Sequence, residues 1–126
     1  MKPQLIFVYN ADSGLFNSVT DFAHKIISPA TYACNLCALT YGSFSMKNGW
    51  KTFVQQLPFE VFFLHKNEFE KAYNFPTALP VIFIKDKELE VLVSSKQINN
   101  CTTLQQLQDL ITAQLVFYAQ HHHSNL

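Results

Sequence analysis

Leu5-Ile6-Phe7-Val8-Tyr9 is an unbroken apolar run rich in β-forming residues, and it restricts the fold more than any other stretch. A strand that is apolar on both faces has to be covered on both, which places it in the middle of a mainly parallel sheet. The turn Asn10-Ala11-Asp12-Ser13-Gly14 follows, with Asp12 and Ser13 as alternative helix N-caps. Beyond it Leu15, Val19, Phe22 and Ile26 recur at helical spacing, so a first helix is expected to run to about Ile27. His24 falls opposite that apolar stripe, with Asn17 beside it, and so does not belong to the core-facing side.

Ser28-Pro29 restarts the chain, Ser as an N-cap and Pro at the first helical position. The next residues fit either a short helix ending near Gly42 or a loop with a strand over Ala38-Leu39-Thr40-Tyr41, and periodicity does not separate the two. Met46, Trp50, Phe53, Val54 and Leu57 form a further helical stripe, stopped by Pro58. Glu60 to Leu64 is a second strand, and Asn67 to Tyr73 a short helix. Leu79-Pro80-Val81-Ile82-Phe83-Ile84 is a third strand, opened by proline, a position strands tolerate. The polar turn Lys85-Asp86-Lys87-Glu88 leads into Leu89 to Val93 as the second arm of a hairpin. Thr102 or Thr103 then caps a last helix with Leu104, Leu107, Ile111 and Leu115 on one face. The end of the chain, with His121, His122 and His123, reads as a frayed tail and is kept out of any site.

Composition narrows the function. Charged residues are only 14% of the 126, and nine basic side chains balance nine acidic ones. No basic stripe offers nucleic acid an electrostatic footprint, and no polybasic segment suggests a membrane surface. The first apolar run stops too soon for a signal-peptide core, and none approaches membrane-spanning length. The chain therefore reads as cytoplasmic, where thiols are reduced by default and a CxxC pair signals redox work or metal more often than a structural disulfide. No GxxxxGK[ST] loop occurs, so nucleotide hydrolysis has no support.

The order β, α, insert, β, short α, β-hairpin, α resembles the thioredoxin-like fold. The most specific local match is Ala78-Leu79-Pro80-Val81-Ile82-Phe83-Ile84, since in that family a cis X-Pro bond precedes a central antiparallel strand, then a hairpin and the closing helix. The resemblance covers Leu5 to Ile27 and Glu60 to Leu115. It implies an α/β domain with a central mixed sheet of about four strands, flanked by helices, and a Cys-containing insertion between the first helix and the second strand. Residues 1–118 would form this single domain, with the insertion at about 28–57 and a flexible tail at 119–126. Thioredoxins carry their CxxC where the first strand meets the first helix. This chain has Ala11-Asp12-Ser13-Gly14 there, and its CxxC lies in the insertion instead. The segment from Ser28-Pro29 to Tyr41-Gly42, with its Cys-Asn-Leu-Cys centre, also looks like a group of small uncharacterised bacterial proteins, which offers no activity to carry over.

Cys34-Asn35-Leu36-Cys37 supports three kinds of chemistry. Two thiols at this spacing can interconvert with a disulfide, hold one zinc or iron ion with both sulfurs, or pack as small buried hydrophobes. In the redox reading Cys34 and Cys37 are the working pair, and Cys34 attacks a protein or small-molecule disulfide by analogy with CxxC proteins generally. His24 would then tune a thiol pKa, and Asp12, Ser13 and Pro80 would border the pocket. In the metal reading Cys34, Cys37 and His24 are three ligands, with His65 or Cys101 as a fourth. The third reading is an interaction domain without catalysis. Asp12 speaks against a phosphate at the turn after the first strand, and Tyr9, Tyr32, Tyr41 and Trp50 are expected in the core or at the rim of the insertion.

Overall fold

The alternation of buried side chains along the strands sorts the apolar residues onto two faces of one sheet. The computed structural model describes residues 2–12, 34–42 and 46–122. The expected first helix, with His24, lies outside the described residues, as do Ser13 and Tyr32. Among the described residues the order is β1 (Gln4–Val8), α1 (Asn35–Thr40), α2 (Asn48–Gln55), β2 (Glu60–Leu64) and α3 (Lys66–Ala72), then β3 (Val81–Lys85), β4 (Leu89–Val93), α4 (Ser95–Asn99) and α5 (Leu104–His122).

The four strands form one mixed sheet in the order β2-β1-β3-β4. β1 runs parallel to β2, with Gln4 opposite Glu60 and Val8 opposite Leu64. It runs antiparallel to β3, with Gln4 opposite Lys85 and Val8 opposite Val81. β3 and β4 make the antiparallel hairpin, with a shift of register at Ile82/Phe83. β1 is thus an inner strand, as its continuous apolar run requires, and Leu5 to Val8 are all buried. β2 has one sheet neighbour and leaves Phe62 exposed.

On one face Leu5, Phe7, Ile82 and Ile84 pack with Leu36 and Cys37 of α1, Trp50 of α2, Ile98 of α4, and Leu107, Ile111 and Leu115 of α5. On the other face Ile6, Val8, Val81 and Phe83 pack with Phe69 of α3. Phe7 meets Trp50 edge to face at 5.3 Å between ring centroids, and Phe69 stacks on Phe83 at 5.3 Å. Both faces of the sheet therefore carry helices.

The Leu79-Pro80 bond is cis. It lies directly ahead of β3, at the end of the sheet where β1 finishes. Thr103 is the residue whose hydroxyl caps α5, accepting the Gln106 N–H at 3.1 Å. α5 continues through His122, into the stretch expected to be a tail. α4 is a further element that strand and helix periodicity does not reveal. Its signal is Ser94-Ser95-Lys96-Gln97, a capping box in which the Ser94 hydroxyl accepts the Gln97 N–H at 3.2 Å. The Gln97 side chain takes the Ser94 N–H in return at 2.9 Å.

Candidate functional site around the paired cysteines

The stretch expected to be an insertion, about 28–57, holds two helices among its described residues. Asn35 to Thr40 is α1, and Tyr41 makes a single antiparallel bridge to Met46 rather than a strand. Leu36, Cys37, Leu39 and Thr40 are buried, so this short helix stands because one side of it enters the core. The buried Thr40 hydroxyl is satisfied by the Leu36 carbonyl at 2.7 Å, and the Thr40 carbonyl accepts the Lys47 N–H at 2.9 Å.

Cys34 is the N-cap of α1, and Cys37 lies one turn on. The two are joined by a disulfide, with Cα atoms 5.3 Å apart. The Cys37 N–H donates to Cys34 Sγ at 3.3 Å, so the cap sulfur also serves one of the first amides of the helix. Cys34 is 4% exposed and Cys37 is wholly buried. Both belong to the core cluster that holds Tyr9 and Ala11.

The residue between them that carries a polar side chain is tied elsewhere. The Asn35 amide donates to the Ile98 carbonyl at 2.7 Å and to the Cys101 carbonyl at 2.9 Å. Cys101 itself is a free, buried thiol whose Sγ lies 3.5 Å from the Gln97 carbonyl, and burial raises its pKa.

At the carboxyl ends of β1 and β2 a second group of side chains gathers on Tyr9. Its ring meets Tyr41 edge to face at 5.7 Å, stacks beside Phe63 at 6.1 Å and tilts against His65 at 6.0 Å. Burial above all holds the Tyr9 phenol well above its ordinary value; the neighbouring Tyr41 adds to this, while Thr40 and Trp50 act the other way. Tyr41 is raised too, again chiefly by burial.

No protein-family model, curated protein or solved structure matches this chain.

The sequence-derived site residues separate as follows. Cys34 and Cys37 are brought together. Pro80 is buried at the end of β3 nearest Tyr9, and Asp12 is exposed just past β1. Ser13 and His24 lie outside the described residues. Among the described residues no three of His, Cys, Asp and Glu stand together as metal ligands. His65 engages Glu68, its ring Nδ1 2.6 Å from the carboxylate and its backbone N–H donating to the same oxygen at 2.8 Å. The backbone bond first, and the ring second, hold the Glu68 carboxyl below its usual value. A cleft of about 240 Å³ reaches Leu79, but it opens beside Phe69, Tyr73 and Phe75, residues of the cluster on the opposite side of the sheet from the cysteines. No helix among the described residues is long and apolar enough to cross a membrane.

Sequence reasoning missed Asn35 and Thr40. Thr40 had a signal, a polar residue among apolar ones at the end of Leu36-Cys37-Ala38-Leu39. Asn35 had none, because its partners are backbone carbonyls far along the chain.

Proposed function

We propose that this chain is a thioredoxin-like cytoplasmic thiol protein whose Cys34/Cys37 pair passes two electrons to or from a protein or small-molecule thiol/disulfide partner. The observation that carries the reading is the disulfide across the first turn of α1, with Cys34 as the N-cap. The thioredoxin-like part is supported by an inner strand antiparallel to β1, followed by a hairpin and a closing helix.

In the reductive direction one thiolate attacks a sulfur of the partner disulfide. A mixed disulfide forms and the first partner thiolate leaves. The second cysteine attacks the mixed disulfide, closes Cys34–Cys37 and expels the second partner thiolate. Two electrons and the two thiol protons end on the partner. Cys34 is the attacking residue in this scheme, being the less buried of the two.

Burial also favours a second reading, a disulfide that serves packing alone. The metal reading needs both sulfurs as thiolates, a state the disulfide excludes, and its third ligand would be His24. One experiment separates the three. The native protein is titrated with a glutathione redox buffer, and its cysteines are counted by peptide-resolved mass tagging, with metal content measured on the reduced form. Reversible interconversion of Cys34 and Cys37 is expected. A pair that reacts only after denaturation sinks the redox reading and leaves packing. One equivalent of zinc or iron on the reduced protein, lost in a Cys34/Cys37 double variant, establishes the metal site instead.

A further inference from the structure

We infer that Asn35 is a positioning residue for the Cys34/Cys37 couple, pinning the Cys34 end of α1 to the end of α4 so that the disulfide is favoured; this rests on the redox reading above. Asn35 is the first residue of α1, adjoining Cys34, and its side chain reaches two carbonyls at 63 and 66 residues' separation. Those carbonyls, of Ile98 and Cys101, lie at and just beyond the C-terminal turn of α4. There the last carbonyls of a helix lack partners within it. The Ile98 carbonyl also accepts the Cys101 N–H at 3.0 Å, so the turn that Asn35 grips is closed by its own backbone bond. Ile98 is fully buried, which anchors that turn in the core.

The chemistry requires an amide here. One nitrogen with two hydrogens serves two acceptors, whereas an Asp carboxylate of the same shape offers none and would face two carbonyl oxygens. The consequence for the couple follows from effective concentration. Closing a disulfide costs less entropy when both thiols are already held at bonding distance, so a clamp beside Cys34 raises the effective concentration of one sulfur at the other. Without the clamp the Cys34 end of this short helix has more freedom once reduced. The dithiol gains, and the equilibrium moves toward it.

The test is the exchange Cys34–Cys37 disulfide plus two glutathione, giving the dithiol plus glutathione disulfide. One S–S bond breaks as another forms, and the two glutathione protons end on Cys34 and Cys37. The equilibrium constant is read by acid quench and peptide-resolved mass tagging in wild type, Asn35→Ala, Asn35→Asp and Asn35→Ser. Glu68→Ala serves as a control that weakens the cap of α3, the helix on the opposite face of the sheet from the cysteines. Asn35→Ala is expected to shift the constant about tenfold toward the dithiol, roughly 30 mV for a two-electron couple. Asn35→Asp should shift it at least as far. Asn35→Ser takes its place should Asn35→Ala fail to fold, and should shift the constant in the same direction. A merely structural role would lower the melting temperature of the Asn35 variants as in Glu68→Ala and leave the constant unchanged in both. Constants equal to wild type in the folded Asn35 variants overturn the inference alone. A wild-type couple inert to glutathione overturns the redox reading and this inference with it.

Discussion

Tyr9 and Tyr41 meet edge to face, their ring centroids 5.7 Å apart, and so join the end of β1 to the residue that follows α1. Both phenols have raised pKa values, first through burial. The folded state thus holds their protons to higher pH than the unfolded chain, whose phenols titrate near 10.0. Their contribution to stability is complete below that value and is lost as pH rises through the raised folded values. Urea midpoints are therefore expected to fall between pH 9 and pH 11, to about the extent that these phenols are forced to ionise. Tyr118 and Cys101 are shifted in the same direction, so Tyr9→Phe should lessen the alkaline loss without abolishing it. An identical loss in Tyr9→Phe and wild type would show that Tyr9 takes no part.

Trp50 is fully buried, edge-on to Phe7 and stacked on Phe53 at 5.7 Å. Truncating it removes the aromatic link between α2 and the sheet. Trp50→Ala should cost about 3–5 kcal/mol. Circular dichroism through a guanidinium titration measures this, since the variant has no tryptophan left to report. A cost below about 1 kcal/mol would mean that α2 contributes little to the core.

The disulfide closes a short loop, Cys34 to Cys37. Loop-closure entropy assigns so small a ring about 2 kcal/mol. Wild type with full reduction of this pair should lose about that much, and Cys37→Ser without reductant should lose more, because it also places a hydroxyl in the core. Equal unfolding midpoints with and without reductant, with reduction verified by mass tagging, would count against any stabilising role.

Ser94 caps α4 through the Gln97 amide. Ser94→Ala should cost about 1 kcal/mol, and Ser94→Asp should restore most of it, because a carboxylate is an equally good cap. Failure of Ser94→Asp to recover the midpoint would show that the serine acts through something other than capping.

Much of the fold was legible because it depends on local pattern. The run Leu5 to Tyr9 gave an inner strand and Thr103 one of two named caps, while the turn expected over Lys85 to Glu88 is made by Asp86 to Glu88, Lys85 being the last residue of β3. The insertion was harder, because Leu36-Cys37-Ala38-Leu39 is too short and too uniformly apolar to distinguish helix from strand. What decides it is tertiary: the Leu36, Cys37 and Leu39 side chains enter the core on one side of a helix. α4 was legible in principle through its Ser-x-x-Gln box, but it spans only five residues and carries one apolar anchor, Ile98. The site was legible at the level of cysteine spacing. The burial of the pair and the grip of Asn35 on α4 were not, since backbone carbonyls from distant segments leave no trace in a residue pattern.

The position of β1 in the sheet bears on how the chain is assembled in time. It precedes both strands that flank it by a long stretch of chain, β2 beginning at Glu60 and β3 at Val81. A nascent chain stopped short of Lys85 holds Leu5 to Tyr9 with at most one of its two neighbours, so this apolar segment stays incompletely paired until β3 has been made. Sheet closure is then a late event governed by long-range pairing, and synthesis of the first strand commits the chain to waiting for the third.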